Sequence, residues 1–535
     1  MVKTNIPPVE IYEKREQLGI NNSLSMLTEI IDTYKEDKIR SEAIIYLGKL
    51  SNNSEVLKEQ CFEFLENLLI SEDNSKIQCS ASKALGKIHN EKALKPLKWV
   101  LEQESITDEV KEAALRAIAK IRFNESEIKL FIKELDNKNQ TIREFVKHQL
   151  INLNPEEIIK HLLRSLNKKN FSEELKAKII SLIGFELSGI NISFEDSSYL
   201  KIKYPETFSN LIQNKEVLLE NITNIPVSDN SELMKNTLAI LETLGEDIKQ
   251  DLLKLLLIDD FMVKKNITKL VGKLKYTEAV DFLVTNLDNM YNEVSIATIE
   301  ALGEIGDTSA VPELLSVLNI EDISFEYLDI DMKFYILDAV KNIYLNSGDR
   351  NFDLLYSYLE MDNDMIKESI AFILGEIGDK DFVGSLINLL NEKNVDVKKN
   401  SIIALGKIGH INALSPLISV IDDDQSYWLI KKVAIDAIYN IYHKNWYLMQ
   451  DGKKEAGREL VKHTAFLVDF LGHKDNENFK VKLSIIKFLE EYGDKSALSA
   501  LLKRINDFHR VVRIHASNAI KRIEKKLELE EELTM

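Results

Sequence analysis

The stretch from Glu293 to Leu318 reads EVSIATIEALGEIGDTSAVPELLSVL, and it decides the fold. Val294, Ile296, Ile299, Leu302 and Ile305 recur at the spacing of one helical face. Gly306 follows the last of them, where a residue with positive φ can close a helix. Asp307 and Thr308 can cap a second helix, and Pro312 suits its first turn, where a missing N–H costs little. Val311, Leu314, Leu315 and Leu318 make the second apolar face. Gly303 lies inside the first helix, where glycine costs about 1 kcal/mol relative to alanine. That cost makes sense where a neighbouring helix must pass close by. The spacing predicts a helix, a tight corner and a second helix.

The same pattern recurs along the chain. Leu374–Asp379 reads LGEIGD and is followed by Phe382, Val383, Leu386 and Leu389. Leu405–Gly409 reads LGKIG and is followed by Ala413, Leu414, Pro416, Leu417 and Ile421. Gly272 and Gly303 are 31 residues apart, as are Gly375 and Gly406. An earlier copy, Ala84–Ile88, leads into Ala93, Leu94, Pro96 and Leu97. Weaker copies lie around Gly48, Ala119 and Gly493. A repeat of this length marks a solenoid, because one such pair cannot cover its own apolar face and stacked pairs can.

These residues resemble the HEAT-repeat family, in particular its short form, similar to the repeats of phycobilisome-lyase-like proteins. The resemblance rests on ALGEIGD at 301–307 with AVPELL at 310–315, and on LGEIGD at 374–379. It is specific over Val271–Ile421 and Ala81–Leu101, extends over most of Ser25–Ile183 and Lys431–Ile523, and is poor over Gly184–Ser231. It implies an all-α, right-handed α-solenoid of stacked antiparallel helix pairs, roughly a dozen of them. The glycines and prolines of the motifs read as packing and capping residues.

Composition bounds the alternatives. The chain has 535 residues, too many for one compact domain and natural for an extended array. Its two cysteines, Cys61 and Cys79, are too few for a disulfide framework and fall in helical patterns, so buried free thiols are expected. Runs such as Leu252–Ile258 are too short to span a bilayer. Met1–Glu10 lacks a signal-like apolar core, which points to a cytoplasmic protein. The net charge of −18 argues against bulk nucleic-acid affinity while leaving room for a local basic surface.

Taken in order, residues 1–20, with Pro7 and Pro8, read as an extended lead-in. A first arm is expected over 21–185, an irregular join over 186–231, a second arm over 232–526 and an acidic tail over 527–535. The break of period is expected from Gly184 on. Its role is read as a spacer, with a hinge or docking surface as the alternative. Asn154-Pro155-Glu156-Glu157 reads as a helix start. Asn319–Asp331 is acidic and lacks the central glycine of a calcium loop, so it reads as a solvated loop. A second interruption is expected over His443–Arg458. It carries Trp446, Tyr447 and Met449, which read as packing over a neighbouring repeat or as partner contacts. Trp428 follows the acidic corner Asp422–Asp424 and joins that list. Lys503–Lys526 is basic, with Arg510 and Arg513 as its candidate contacts. The preferred reading there is a solvated terminal cap, complemented by Glu528 and Glu530–Glu532.

No phosphate-binding glycine loop, H-E-x-x-H, paired C-x-x-C or G-x-S-x-G is present. The nine histidines are scattered, and His89 and His410 are expected at loop tips. The related family includes di-iron hydroxylases carrying His-Glu pairs, and this sequence has no His-Glu dipeptide. The resemblance therefore implies a noncatalytic scaffold or adaptor, with no cofactor and no metal, holding a protein partner along a concave surface lined by helices such as Val294–Ile305. Two alternatives stay open. One is a bilin-lyase-like role in cofactor attachment, or a chaperone role. The other is nucleic-acid binding through the basic C-terminal helices.

Overall fold

The computed structural model describes residues 6–103, 105–191, 202–225, 231–289, 291–318, 330–348, 351–450 and 454–534. Among these, every regular element is an α-helix or a short 3₁₀ turn. The chain is an all-α solenoid of helix pairs, and it divides into two compact units, Met1–Leu255 and Leu256–Met535.

In each unit the second helices of successive pairs stack in a row. The first unit carries α1 Asp37–Leu50, α2 Ser75–Ile88, α3 Asp108–Ile121, α4 Gln140–Ile151, α5 Glu173–Asn191 and α6 Glu232–Leu244. The second carries α7 Phe261–Lys273, α8 Asn292–Ile305, α9 Ile330–Ser347, α10 Asp364–Ile377, α11 Val395–Ile408, α12 Trp428–Gln450, α13 Phe479–Tyr492 and α14 Arg510–Thr534. Shorter helices such as Leu94–Glu102, Val311–Leu318, Leu414–Asp422 and Ala497–Arg504 alternate with them.

The deciding stretch folds as expected, with one added detail. Helix α8 closes at Gly306, whose φ of 80° is left-handed. Asp307 then accepts a hydrogen bond from the Ser309 N–H at 2.9 Å, and a 3₁₀ turn, Thr308–Ala310, precedes Val311–Leu318. The same corner recurs with Asn90, Asp379 and Asp494 in the capping place, and with His410, whose Nδ1 accepts from the Asn412 N–H. His89 stands where Gly306, Gly378 and Gly409 stand and adopts a left-handed φ of 52° itself. Its Nδ1 lies 3.0 Å from the Lys120 carbonyl oxygen.

Seven internal glycines set the helix spacing. Each is the twelfth residue of its helix: Gly48, Gly86 and Gly184 in the first unit, Gly272, Gly303, Gly375 and Gly406 in the second. A Cβ built on Gly303 would sit 2.9 Å from the Ala339 Cα, and one on Gly272 would sit 2.7 Å from the Ala301 Cα. The Ala-Leu-Gly tripeptide is therefore two-sided. Ala301 receives Gly272 from the preceding helix, and Gly303 receives Ala339 from the next. Gly375, Ala404, Gly406 and Ala437 continue the arrangement.

Several expectations are corrected. The lead-in is not extended: Pro8 opens a helix, Pro8–Glu13, because proline fits a first turn, and Ile11 is fully buried. Gly184 does not break the stack. It lies inside α5, where a Cβ would overlap the Asn236 carbonyl of α6, and the Asn236 side chain donates to Ser181 Oγ at 2.8 Å. Helices Pro205–Gln213 and Lys215–Asn224 occupy the expected join. The interruption expected from His443 is absent up to Gln450, because α12 runs through it. The acidic tail continues α14 as helix to Thr534. The acidic loop at 319–329 lies outside the described residues.

Candidate interaction surfaces

Polar side chains along the rows bind their neighbours one repeat away. The Asn74 side chain donates to Asp37 at 2.8 Å, Asn139 to Asp108 at 3.0 Å and Asn394 to Asp364 at 2.9 Å. In each case the N-cap residue of one helix holds the first turn of the helix before or close to it. Close ion pairs join Lys265 to Glu293, Lys273 to Glu304 and Lys407 to Glu376. Glu368 takes Lys333 at 3.4 Å and the Asn400 side chain at 3.0 Å. The charges thus run as a ladder between helices rather than converging on a point.

The first unit contains an open pocket of about 330 Å³, lined on α4 by Gln140, Arg143, Glu144 and Lys147, and on α5 by Lys178, Ser181 and Leu182. It lies where the tight spacing lapses: the twelfth residue of α4 is Ile151, too large to admit a close neighbour. Its charges are taken up locally. Lys178 pairs with Asp136 at 2.8 Å and Glu174 at 2.7 Å, and Lys147 with Glu232 at 3.3 Å. Arg143 Nη1 donates to the carbonyls of Asn137 and Lys138, each at 2.8 Å.

Other buried titratable groups lie outside the lining of this pocket. Glu186 on α5 is 6% exposed, and its Oε1 has no hydrogen-bond partner. Burial pushes its carboxyl up to about 7. His161 is also buried, which lowers its pKa. Burial pushes the Cys61 thiol up to about 12; Cys79 is half-buried, and both are free.

The residues singled out in sequence fall in unlike settings. Trp428 is half-buried at the start of α12, 5.4 Å from the Tyr427 ring, with the Lys480 ammonium 4.7 Å from its own ring centroid. Trp446, Tyr447 and Met449 lie on the helical backbone of α12 near its end. Arg513 donates from Nη1 to the carbonyls of Asp507 at 2.8 Å and Phe508 at 2.9 Å, repeating the latch of Arg143. Arg510 is exposed.

Much of the basic C-terminal segment is occupied internally. Lys482 meets Asp507 at 3.0 Å, and Arg504 meets Asp475 at 2.5 Å and Asp507 at 3.7 Å, with Lys482, Arg504 and Asp507 all buried. Burial would raise the Asp507 carboxyl, but the His509 N–H and Lys482 outweigh it and hold it below the usual range. Arg522 reaches Glu490 and Glu491. Arg510, Lys521 and Lys525 remain exposed. Sequence reasoning missed the apolar side chains beside them, Leu502, Ile505 and Phe508, because at helical spacing they read as core.

Among the described residues, no three His, Cys, Asp or Glu side chains are grouped to hold a metal, and no helix is long and apolar enough to cross a membrane. The family model of HEAT repeats matches residues 24–119 and 352–438, and that of the PBS lyase HEAT-like repeat matches 296–319. No curated protein matches the chain in sequence. Solved structures similar to it include Kap121p, at 11% identity and a TM-score of 0.36, covering 96% of this chain and 66% of that one. The chain thus spans just under two thirds of the length of Kap121p. Importin beta is similar at 13% identity and a TM-score of 0.35, covering 96% of this chain and 70% of that one. An engineered protein is similar at 16% identity and a TM-score of 0.20, covering 94% and 98%.

Proposed function

We propose, for a chain that belongs to the HEAT-repeat family, a noncatalytic role as a scaffold that holds a protein partner along the helix rows. The observation that carries this reading is the ladder. Charged side chains on α7, α8, α10 and α11 pair from helix to helix along the row, which leaves a long polar face instead of a convergent site. Such a face suits broad complementarity with a partner of matching length. Trp428, Trp446, Tyr447, Met449, Arg510 and Arg513 are the proposed contacts, and the cytoplasm is the proposed compartment. The test is affinity purification of the tagged chain from its native cell with crosslinking. Crosslinks from a recovered protein are expected on the helix rows. Recovery of no partner across a range of salt and crosslinker conditions removes the assignment.

A further inference from the structure

Helix Ala497–Arg504 and α14 form the last described pair of the second unit, and they expose apolar side chains of a kind that interior pairs bury. The corner before this pair, GDKSA at 493–497, matches GDTSA at 306–310, so Leu498, Leu502 and Ile505 stand where Val311, Leu315 and Leu318 stand. Leu315 and Leu318 are 1% and 8% exposed, whereas Leu502 and Ile505 are 54% and 36% exposed. Phe508, at the corner between the two helices, is 92% exposed. On α14 the twelfth residue, which in α7, α8, α10 and α11 is the glycine that touches the next helix, is Lys521. Arg510, Ile514, Asn518, Lys521 and Lys525 follow one another at helical spacing and are all exposed. Arg522 and Lys526, turned to the other side, reach back to Glu490 and Glu491 on α13.

The end face therefore has an apolar ridge on one helix and a cationic ridge on the other, which ends at the exposed Glu528. We propose that this face docks an acidic amphipathic helix of another protein. Its apolar side seats on Leu502, Ile505 and Phe508, and its carboxylates meet Arg510, Lys521 and Lys525. Charge decides the occupant. The chain carries a net charge of −18, yet this face gathers cations, so an anionic partner is matched here and repelled elsewhere. A second copy related by a two-fold axis would at best set apolar ridge on apolar ridge and leave the cations unmatched. A nucleic-acid strand would leave the apolar ridge in water. This surface lies at the end of the row rather than along it and shares only Arg510 with the scaffold contacts, so the peptide test and the crosslinking test fail independently.

The test uses the full chain and a fluorescent helical peptide of about 18 residues, long enough for five turns. The peptide is built from Leu, Ala and Glu with leucine on one face. A lysine-for-glutamate peptide and a scrambled peptide serve as controls. Anisotropy is expected to show saturable binding of the acidic peptide, about tenfold tighter than either control and weakened by salt. Leu502→Ser with Phe508→Ser should weaken it about tenfold, and Arg510→Glu with Lys521→Glu and Lys525→Glu should reverse the preference toward the lysine peptide. All five positions are exposed, and a circular-dichroism melt checks that the variants fold. Absence of saturable binding, or binding that neither set of variants alters, overturns the proposal. So does a dimer in sedimentation that Leu502→Ser and Phe508→Ser dissolve. So does displacement of the peptide by an oligonucleotide whose own binding ignores the apolar variants.

Discussion

Gly375→Ala should loosen the second unit, although alanine is the better helix former by about 1 kcal/mol. The added Cβ would lie 2.7 Å from both the Cα and the Cβ of Ala404, and ordinary contact begins at 3.4 Å, so the helices must part by about 0.7 Å. Overpacking of a tight interior costs about 1–3 kcal/mol. One of the clashing atoms is backbone, which no rotamer change relieves, so the upper part of that range applies. Subtracting the helix-propensity gain leaves a net destabilisation of about 2 kcal/mol. Gly384→Ala is the counter-case. It meets nothing within 4 Å, so it should stabilise by up to about 1 kcal/mol. Gly48→Ala lies between, because its nearest neighbour is the Ala84 Cβ at 3.0 Å, with the Ala84 Cα at 3.3 Å. There Ala84→Gly should relieve the clash, with a favourable coupling of about 1 kcal/mol. At Gly375, Ala404→Gly leaves the Cα in place and should rescue little. Denaturant midpoints read the global effect. Amide exchange of α10 and α11 reads the local one, since repeat arrays open segment by segment. If Gly375→Ala raises the midpoint as Gly384→Ala does, the close-approach argument fails.

Glu186→Gln should stabilise the protein at pH 8 by up to about 3 kcal/mol, which is the rise of its carboxyl from the ordinary 4.5 to about 7 expressed as free energy. The folded pKa is the higher one, so the wild type loses stability as pH rises from about 4.5 through about 7, and melting across that range should show a slope that the variant lacks. Asp507→Asn leaves Lys482 and Arg504 buried beside a neutral group and should cost about 3–5 kcal/mol. Because the Asp507 pKa is depressed in the fold, its contribution is present above 3.8 and is lost as pH falls through the lower folded value, which an acid titration of the melting temperature reads. Arg513→Met removes the two donors that hold the Asp507 and Phe508 carbonyls and should lower stability by about 1–3 kcal/mol. Arg510→Met should stay within about 0.5 kcal/mol, and equal losses at both positions in a denaturant titration would contradict the latch.

The repeat was legible because its signals are local. Glycine at a fixed place in a helix, an Asx corner and a proline in the first turn each carry their own physical reason, and they recur at a period that only stacking explains. What escaped was anything settled by a neighbour one repeat away. Gly184 reads as a breaker on its own and becomes a packing residue only against Asn236. Arg513 reads as surface charge until its bonds to two carbonyls are seen. Leu502 and Phe508 have the spacing of core residues, and only the fold shows them exposed. The run from His443 looked like a loop because aromatics and an Asp-Gly pair outweighed its helical propensity, yet tertiary packing carries α12 on to Gln450.

The twelfth residue of each row helix links stacking to function. Where it is glycine, the helices approach closely, and such stretches offer a continuous face. At other helices it is large. Ile151 takes that place on α4, the helix that lines the pocket together with α5. Tyr439 lies 5.4 Å from Tyr492 across the gap from α12 to α13, filling it with a ring instead of closing it. Lys521 presents a charge where no helix of the described residues follows. An insertion of bulk at one position thus changes a packing contact into a cavity, an aromatic joint or a binding edge, while the rest of the repeat stays intact. This is how a stack of near-identical pairs acquires distinct places without any change of fold.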